Sequence, residues 1–149
     1  MSNESENDDP EYDIDFRENP DQYEVGRGEE GVFKVQPYKG ELLPLWTFKT
    51  PDEAEESAEG IYGKYEEYRE NGDFPGMDMA RKYLQMGYTR AMRYAKYPSG
   101  RKYENGEERE PEEWADEEKR EAALIFEEWL EKVREDEAYQ RAKEDHREQ

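Results

Sequence analysis

The sequence predicts an α+β fold in a single domain, mainly helical, with three main helices and a short β-hairpin. Three observations carry this. Apolar residues recur at three- and four-residue steps in three long stretches, which is the helical period. Stop signals, Asn71-Gly72 and Pro98-Ser99-Gly100, separate those stretches. Two short runs ahead of them alternate in the strand sense.

Taken in order, Met1 to Glu11 is polar and acidic and reads as disordered, leaving residues 12–147 as the folded domain. Asn19-Pro20-Asp21-Gln22-Tyr23 suits a short helical turn, with Asn as cap and Pro in first position. Gly26-Arg27-Gly28 reads as a loop. Val32–Val35 and Leu45–Phe48 are the alternating runs, and they are expected to pair as a hairpin across Pro37–Pro44. A two-stranded hairpin is marginal alone, so it must pack on helices.

The first main helix opens at Thr50-Pro51-Asp52-Glu53, where Thr50 caps and Glu53 completes a capping box. Ala54, Ala58, Ile61, Tyr65 and Tyr68 form its buried face. The second helix runs from Met77 to about Tyr97, with Ala80, Tyr83, Leu84, Gly87, Ala91, Tyr94 and Ala95 on one side. The third starts near Asp116 and carries Ala122, Ile125, Phe126, Trp129, Leu130 and Val133 as its stripe. It either continues or restarts at Asp136 and ends near Arg147.

Only 32% of the 149 residues are hydrophobic and 43% are charged, a balance that by itself suggests disorder. The 12 Tyr, 5 Phe and 3 Trp reverse that reading, because each ring buries a large area. With no Cys, disulfides, thiolate nucleophiles and Cys metal sites are excluded. The start lacks the basic residues and apolar run of a secretion signal, and no apolar stretch is long enough to span a membrane, so the cytoplasm is expected. The net charge of -20 is spread along the chain and points to a halophilic cytoplasm, where concentrated salt screens an acidic surface.

One segment breaks the acidic pattern. Residues 74–103 hold a single acid, Asp78, against seven bases. On a helical wheel Arg81, Lys82, Gln85, Thr89, Arg93 and Lys96 share a side of the second helix, and Arg101, Lys102 and Tyr103 follow it. Such a face suits phosphates or an acidic protein surface, with tyrosines to stack on bases. The plainer reading is that the basic helix docks against the protein's own acidic helices. The glycines of Gly26–Gly31 can form an anion-binding nest, although a structural loop explains them as well, and Glu29 and Glu30 disfavour an anion. Asp73 and Asp78 flank Phe74-Pro75-Gly76-Met77 and allow acid–base chemistry, or simply shape and stabilise a helix start. His146, the one His, lies in the acidic C-terminal tail, away from any catalytic partner. Trp114, in an acidic linker, is a candidate contact residue.

Three stretches carry a resemblance: Val25-Gly26-Arg27-Gly28-Glu29-Glu30-Gly31-Val32, Leu45–Pro51, and Gly72–Gly87 through Arg101-Lys102-Tyr103, with Gly-Met-Asp-Met-Ala-Arg-Lys at its core. Together they resemble a family of small uncharacterised proteins from bacteria, archaea and phages, catalogued only as a domain of unknown function. The resemblance covers roughly Tyr12 to His146. It implies no activity, cofactor or active site.

The reading that follows is a non-catalytic binding module that contacts an acidic partner or nucleic acid through Arg81, Lys82, Gln85, Arg93, Lys96, Arg101, Lys102 and Tyr103. No metal or cofactor is expected. The alternatives are an enzyme with a carboxylate and Arg site at the Gly72–Met77 turn, and a structural or assembly protein. The oligomeric state stays open.

Overall fold

A computed structural model describes residues 14–26, 28–97, 103–104, 107–108 and 115–148. The predicted N-terminal disorder, Arg27, Arg101, Lys102 and Trp114 lie outside the described residues. Among these residues a 3-10 turn at Pro20–Gln22 is followed by five α-helices: α1 (Tyr38–Leu42), α2 (Pro51–Glu70), α3 (Phe74–Lys96), α4 (Glu117–Arg134) and α5 (Glu137–Arg147). A second 3-10 turn, Leu43–Leu45, follows α1 directly.

Two expectations are corrected. Among the described residues the fold is helical rather than α+β, with five α-helices rather than three, and the predicted hairpin of Val32–Val35 with Leu45–Phe48 does not form. Its backbone groups are spent elsewhere. Gly31 takes a positive φ of 91°, and the N–H groups of Lys34 and Val35 both donate to its carbonyl, coiling the first run into turns. In the second run the Thr47 N–H donates to Ser57 Oγ on α2, and Trp46 Nε1 donates to the Tyr83 carbonyl on α3. The intended loop between the runs is itself helical, and it buries Tyr38 and Leu42 completely. Alternation over four residues does not distinguish a strand from a coiled segment anchored by side chains. Among the described residues extended pairing is confined to the Asp15–Gln36 bridge and a two-residue ladder, β1 (Tyr103–Glu104) with β2 (Glu107–Glu108).

The helix ends follow local chemistry. Thr50 Oγ1 accepts the Glu53 N–H at 3.1 Å and starts α2. Asp73 accepts the Gly76 N–H at 3.3 Å, so α3 begins at Phe74, earlier than Met77. Asp116 accepts from Lys119, and Asp136 accepts the Ala138 N–H at 3.0 Å, so the C-terminal stretch is two helices rather than one. Each such cap satisfies an N–H that the helix leaves unpaired and contributes about 1 kcal/mol.

Helix α3 is the axis of the molecule. It packs against α1, α2, α4 and α5. Its residues from Phe74 to Leu84 are buried on every side, including the polar ones. A helix enclosed all round is a core helix, and the surrounding elements cover what a surface helix would show to water. Helix α4 contributes Ala122, Phe126, Leu130 and Val133 to the core. Gly87 makes the α3–α4 contact possible, because a Cβ there would sit inside the Phe126 ring.

Candidate binding surface

The first half of α3 turns its charges inward. Asp78 is 0% exposed, Arg81 4% and Lys82 3%. Arg81 Nε and NH2 donate to Asp78 Oδ1 at 3.1 and 2.9 Å. Its NH1 donates to the Gly28 carbonyl and to Gln85 Oε1, and its NH2 also donates to the Gly26 carbonyl. A guanidinium has five N–H groups, and all five are occupied here. Asp78 accepts two further hydrogen bonds, from the Tyr23 hydroxyl at 2.5 Å and the Tyr139 hydroxyl at 2.6 Å. Burial works against the Arg81 charge, and the Asp78 carboxylate more than offsets it, holding the Arg81 pKa above its ordinary value. Burial, then the negative charge of Asp78, pushes the Tyr23 and Tyr139 hydroxyls well above the usual phenol range.

Lys82 completes the clamp. Its Nζ donates to the Glu30 carbonyl at 2.6 Å and lies 5.2 Å from the centre of the Tyr23 ring. The Gly26–Gly31 loop therefore presents the carbonyls of Gly26, Gly28 and Glu30 to cations of the same chain. An anion nest needs the opposite arrangement, with N–H groups converging outward. Tyr83 adds a fourth tie by donating its hydroxyl to the Val32 carbonyl.

The second half of α3 differs. Thr89, Arg90, Arg93, Tyr94 and Lys96 are exposed, Tyr94 at 38%. At about 100° per residue Arg93 lies at the middle of this face, with Arg90 and Tyr94 on one flank and Thr89 and Lys96 on the other. Beside it, the Phe48 ring lies 5.8 Å from the Tyr94 ring, and Lys119 Nζ sits 5.3 Å from the first and 5.9 Å from the second. Lys119 is fixed there by donating to the Lys49 carbonyl at 2.7 Å. Thus the structure separates the residues that the sequence grouped. Arg81 and Lys82 are buried in the clamp, with Gln85 accepting from Arg81. Arg93 and Lys96 face outward roughly two to four turns further on. Arg101 and Lys102 fall outside the described residues, and Tyr103 is described only through its backbone in β1. Arg90, which the wheel did not group with them, joins the exposed set. Its signal was its place in the basic segment.

A polar cleft of about 460 Å³ opens beside the Gly72–Met77 turn, lined by Arg17, Glu41, Lys64, Tyr68, Asn71 and Asp73 among others. Arg17 grips both Glu41 oxygens, at 3.0 and 2.8 Å, and Asp73 Oδ2 at 3.0 Å. Tyr38 donates to Asp73 Oδ1 at 2.6 Å and Tyr68 to Glu41 Oε1 at 2.7 Å. The hydrogen bonds from Arg17 hold the Glu41 carboxyl below its ordinary range. Burial raises the Tyr38 and Tyr68 hydroxyls far above theirs. Asp78 and Arg81 do not line this cleft. His146 is not a loose tail residue. It lies on α5 with its ring 5.0 Å from Phe74, and its Nε2 is 2.5 Å from the Tyr23 carbonyl. Among the described residues no cluster of three or more His, Cys, Asp or Glu is placed to hold a metal ion, and no helix is long and apolar enough to cross a membrane.

Fold and site together define a small helical domain built round one central helix, with charges neutralised internally along its first half and exposed along its second. Residues 6–149 match the family model described as Domain of unknown function (DUF4385), and the chain belongs to that family. No curated protein and no solved structure matches it. The family carries no assigned function, so the function is read from geometry.

Proposed function

We propose that the protein is a non-catalytic binding module that presents the second half of α3, through Arg90, Arg93 and Lys96, to an anionic partner, either an acidic protein surface or a nucleic acid. One observation carries the reading. In a chain with 42 acidic residues, none occurs from Met79 to Tyr103, and the last turns of α3 expose three cations in that interval. Arg101, Lys102 and Tyr103 follow in sequence and continue the basic segment. Tyr94 and Phe48 beside it offer rings for stacking. Arg81, Lys82 and Gln85 serve the surface indirectly, by fixing the helix and its loop. The protein is assigned to the cytoplasm of an organism with concentrated salt, on the strength of its distributed acidic charge.

The test is a fluorescence titration with labelled single-stranded RNA, duplex DNA and polyglutamate over a range of KCl. Binding of one of these, weakened by Arg90→Ala/Arg93→Ala/Lys96→Ala while far-UV circular dichroism stays unchanged, is expected. Binding by none, or binding indifferent to the triple variant, removes the reading.

The cleft beside the Gly72–Met77 turn favours a second reading, an enzyme using Glu41 and Asp73. Against it, Arg17 and two tyrosines already engage both carboxylates. A thermal-shift screen of small metabolites against wild type and Glu41→Gln decides it. No ligand-dependent shift that the variant abolishes would end this reading.

A further inference from the structure

The rings beside the α3 surface form a row with a cation set among them. The ring centres of Trp46 and Phe48 lie 5.2 Å apart, and those of Phe48 and Tyr94 5.8 Å. The Lys119 ammonium stands 5.3 Å from the Phe48 ring and 5.9 Å from the Tyr94 ring. Tyr94 is 38% exposed, and Trp46 and Phe48 are partly exposed. The row has identifiable causes. Trp46 is extended, and side chains two positions apart on an extended chain share a side. Thr47 between them is tied to α2, its N–H donating to Ser57 Oγ at 3.1 Å and its hydroxyl to Glu53 at 3.5 Å. Trp46 Nε1 donates to the Tyr83 carbonyl at 3.1 Å and holds the indole against α3. Lys119 Nζ donates to the Lys49 carbonyl at 2.7 Å and brings in the start of α4. Three helices therefore fix the rings in advance of any partner.

Rings interleaved with cations suit a partner that carries flat faces and negative charge together. An acidic protein surface supplies the charge and makes no use of the rings. A duplex supplies both, but its base faces are stacked inside and cost free energy to expose. A single strand presents its bases without that cost. Charge then sets the path of the strand. Arg90 precedes Tyr94 by one helical turn on the same face of α3. The exposed acids Asp52, Glu53, Glu117 and Glu118 stand in the first turns of α2 and α4. Phosphates are therefore drawn to the α3 side of the rings and repelled from the two helix starts.

Given the α3 surface as the contact face, on which this rests, we propose that its partner is a single-stranded nucleic acid, whose bases stack on Tyr94, Phe48 and Trp46 and whose phosphates meet Lys119 and Arg90. The test is fluorescence anisotropy of the full chain with four labelled probes: oligo(dT) of about twelve nucleotides, an abasic strand and a duplex of the same length, and polyglutamate. The abasic strand keeps every phosphate and lacks every base. A stacked base contributes about a 5- to 150-fold effect. Oligo(dT) is therefore expected to bind at least about fivefold tighter than each other probe. That preference over the abasic strand should persist from about 0.1 M to about 1 M KCl, because stacking is not screened by salt. Tyr94→Leu keeps the apolar bulk and should weaken oligo(dT) binding about fivefold or more, whereas Tyr94→Phe keeps the ring and the affinity. The abasic comparison uses the wild-type chain and decides even where a variant does not fold. Equal affinity for oligo(dT) and the abasic strand, tighter binding of the duplex or of polyglutamate, or full oligo(dT) affinity in a folded Tyr94→Leu overturns the proposal and leaves the α3 surface standing. Binding of no probe removes both.

Discussion

Replacing Asp78 by Asn isolates the charge at the centre of the molecule. The change keeps the shape and leaves Oδ1 in place to accept from Arg81 and Tyr139, while the new amide meets the Tyr23 hydroxyl, which can rotate to accept. What is lost is the negative charge facing a guanidinium that is 4% exposed. Breaking a buried pair by removing one partner costs about 3–5 kcal/mol, because the remaining charge stays desolvated. At about 2–4 °C per kcal/mol for a domain of this size, the melting temperature should fall by roughly 6–20 °C. Urea unfolding followed by circular dichroism measures this directly. The companion variant Asp78→Leu/Arg81→Met removes both charges and should be less destabilised than the sum of its single changes, since a buried pair is often replaceable by apolar groups of similar volume. A loss below about 1 kcal/mol for Asp78→Asn would refute the reasoning, because it would mean that no uncompensated charge is left behind.

Other predictions test other links. Gly87→Ala gains helix propensity but drives a methyl into the Phe126 ring, so a net loss of about 1–3 kcal/mol is expected on chemical denaturation, and a stabilised variant would refute the close approach. Glu41 has its folded pKa depressed, first by hydrogen bonds from Arg17, so its contribution is present above the ordinary value of 4.5 and is lost as pH falls through the lower folded value. Stability below pH 4.5 should therefore fall less steeply in Glu41→Gln than in wild type, and identical slopes in acid titrations would contradict the pairing. Finally, raising KCl from about 0.1 M to about 1 M shortens the Debye length from about 10 Å to about 3 Å, so the unfolding midpoint should rise as repulsion among the acids is screened. A midpoint indifferent to salt would count against adaptation to concentrated salt.

The starts of α2, α4 and α5 and the apolar face of α2 were legible in the chain because their causes are local. Thr50, Asp116 and Asp136 cap N–H groups two or three residues away. Ala54, Ala58, Ile61, Tyr65 and Tyr68 meet on one face through helical spacing alone. A pairing of Asp78 with Arg81 was also within reach, being three residues apart and involving the one acid of the basic segment. The hairpin and the direction of the cations were not legible. The partners that decide them are distant: Ser57 for Thr47, Tyr83 for Trp46, and for Arg81 and Lys82 the carbonyls of Gly26, Gly28 and Glu30, more than fifty positions earlier.

The amino-acid order alone therefore determined where α2, α4 and α5 begin and which side of α2 is apolar, since hydrogen bonds and periodicity within a few residues suffice for that. By contrast, α1 read as a loop, α3 begins one turn early, and Tyr94, grouped with the apolar side of α3, stands exposed. Whether a cation on α3 meets water or a carbonyl was decided only when the loop at Gly26–Gly31 and the helix α5 closed over the first half of α3. Desolvation is a property of what covers a residue, and the covering segments come from the two ends of the chain.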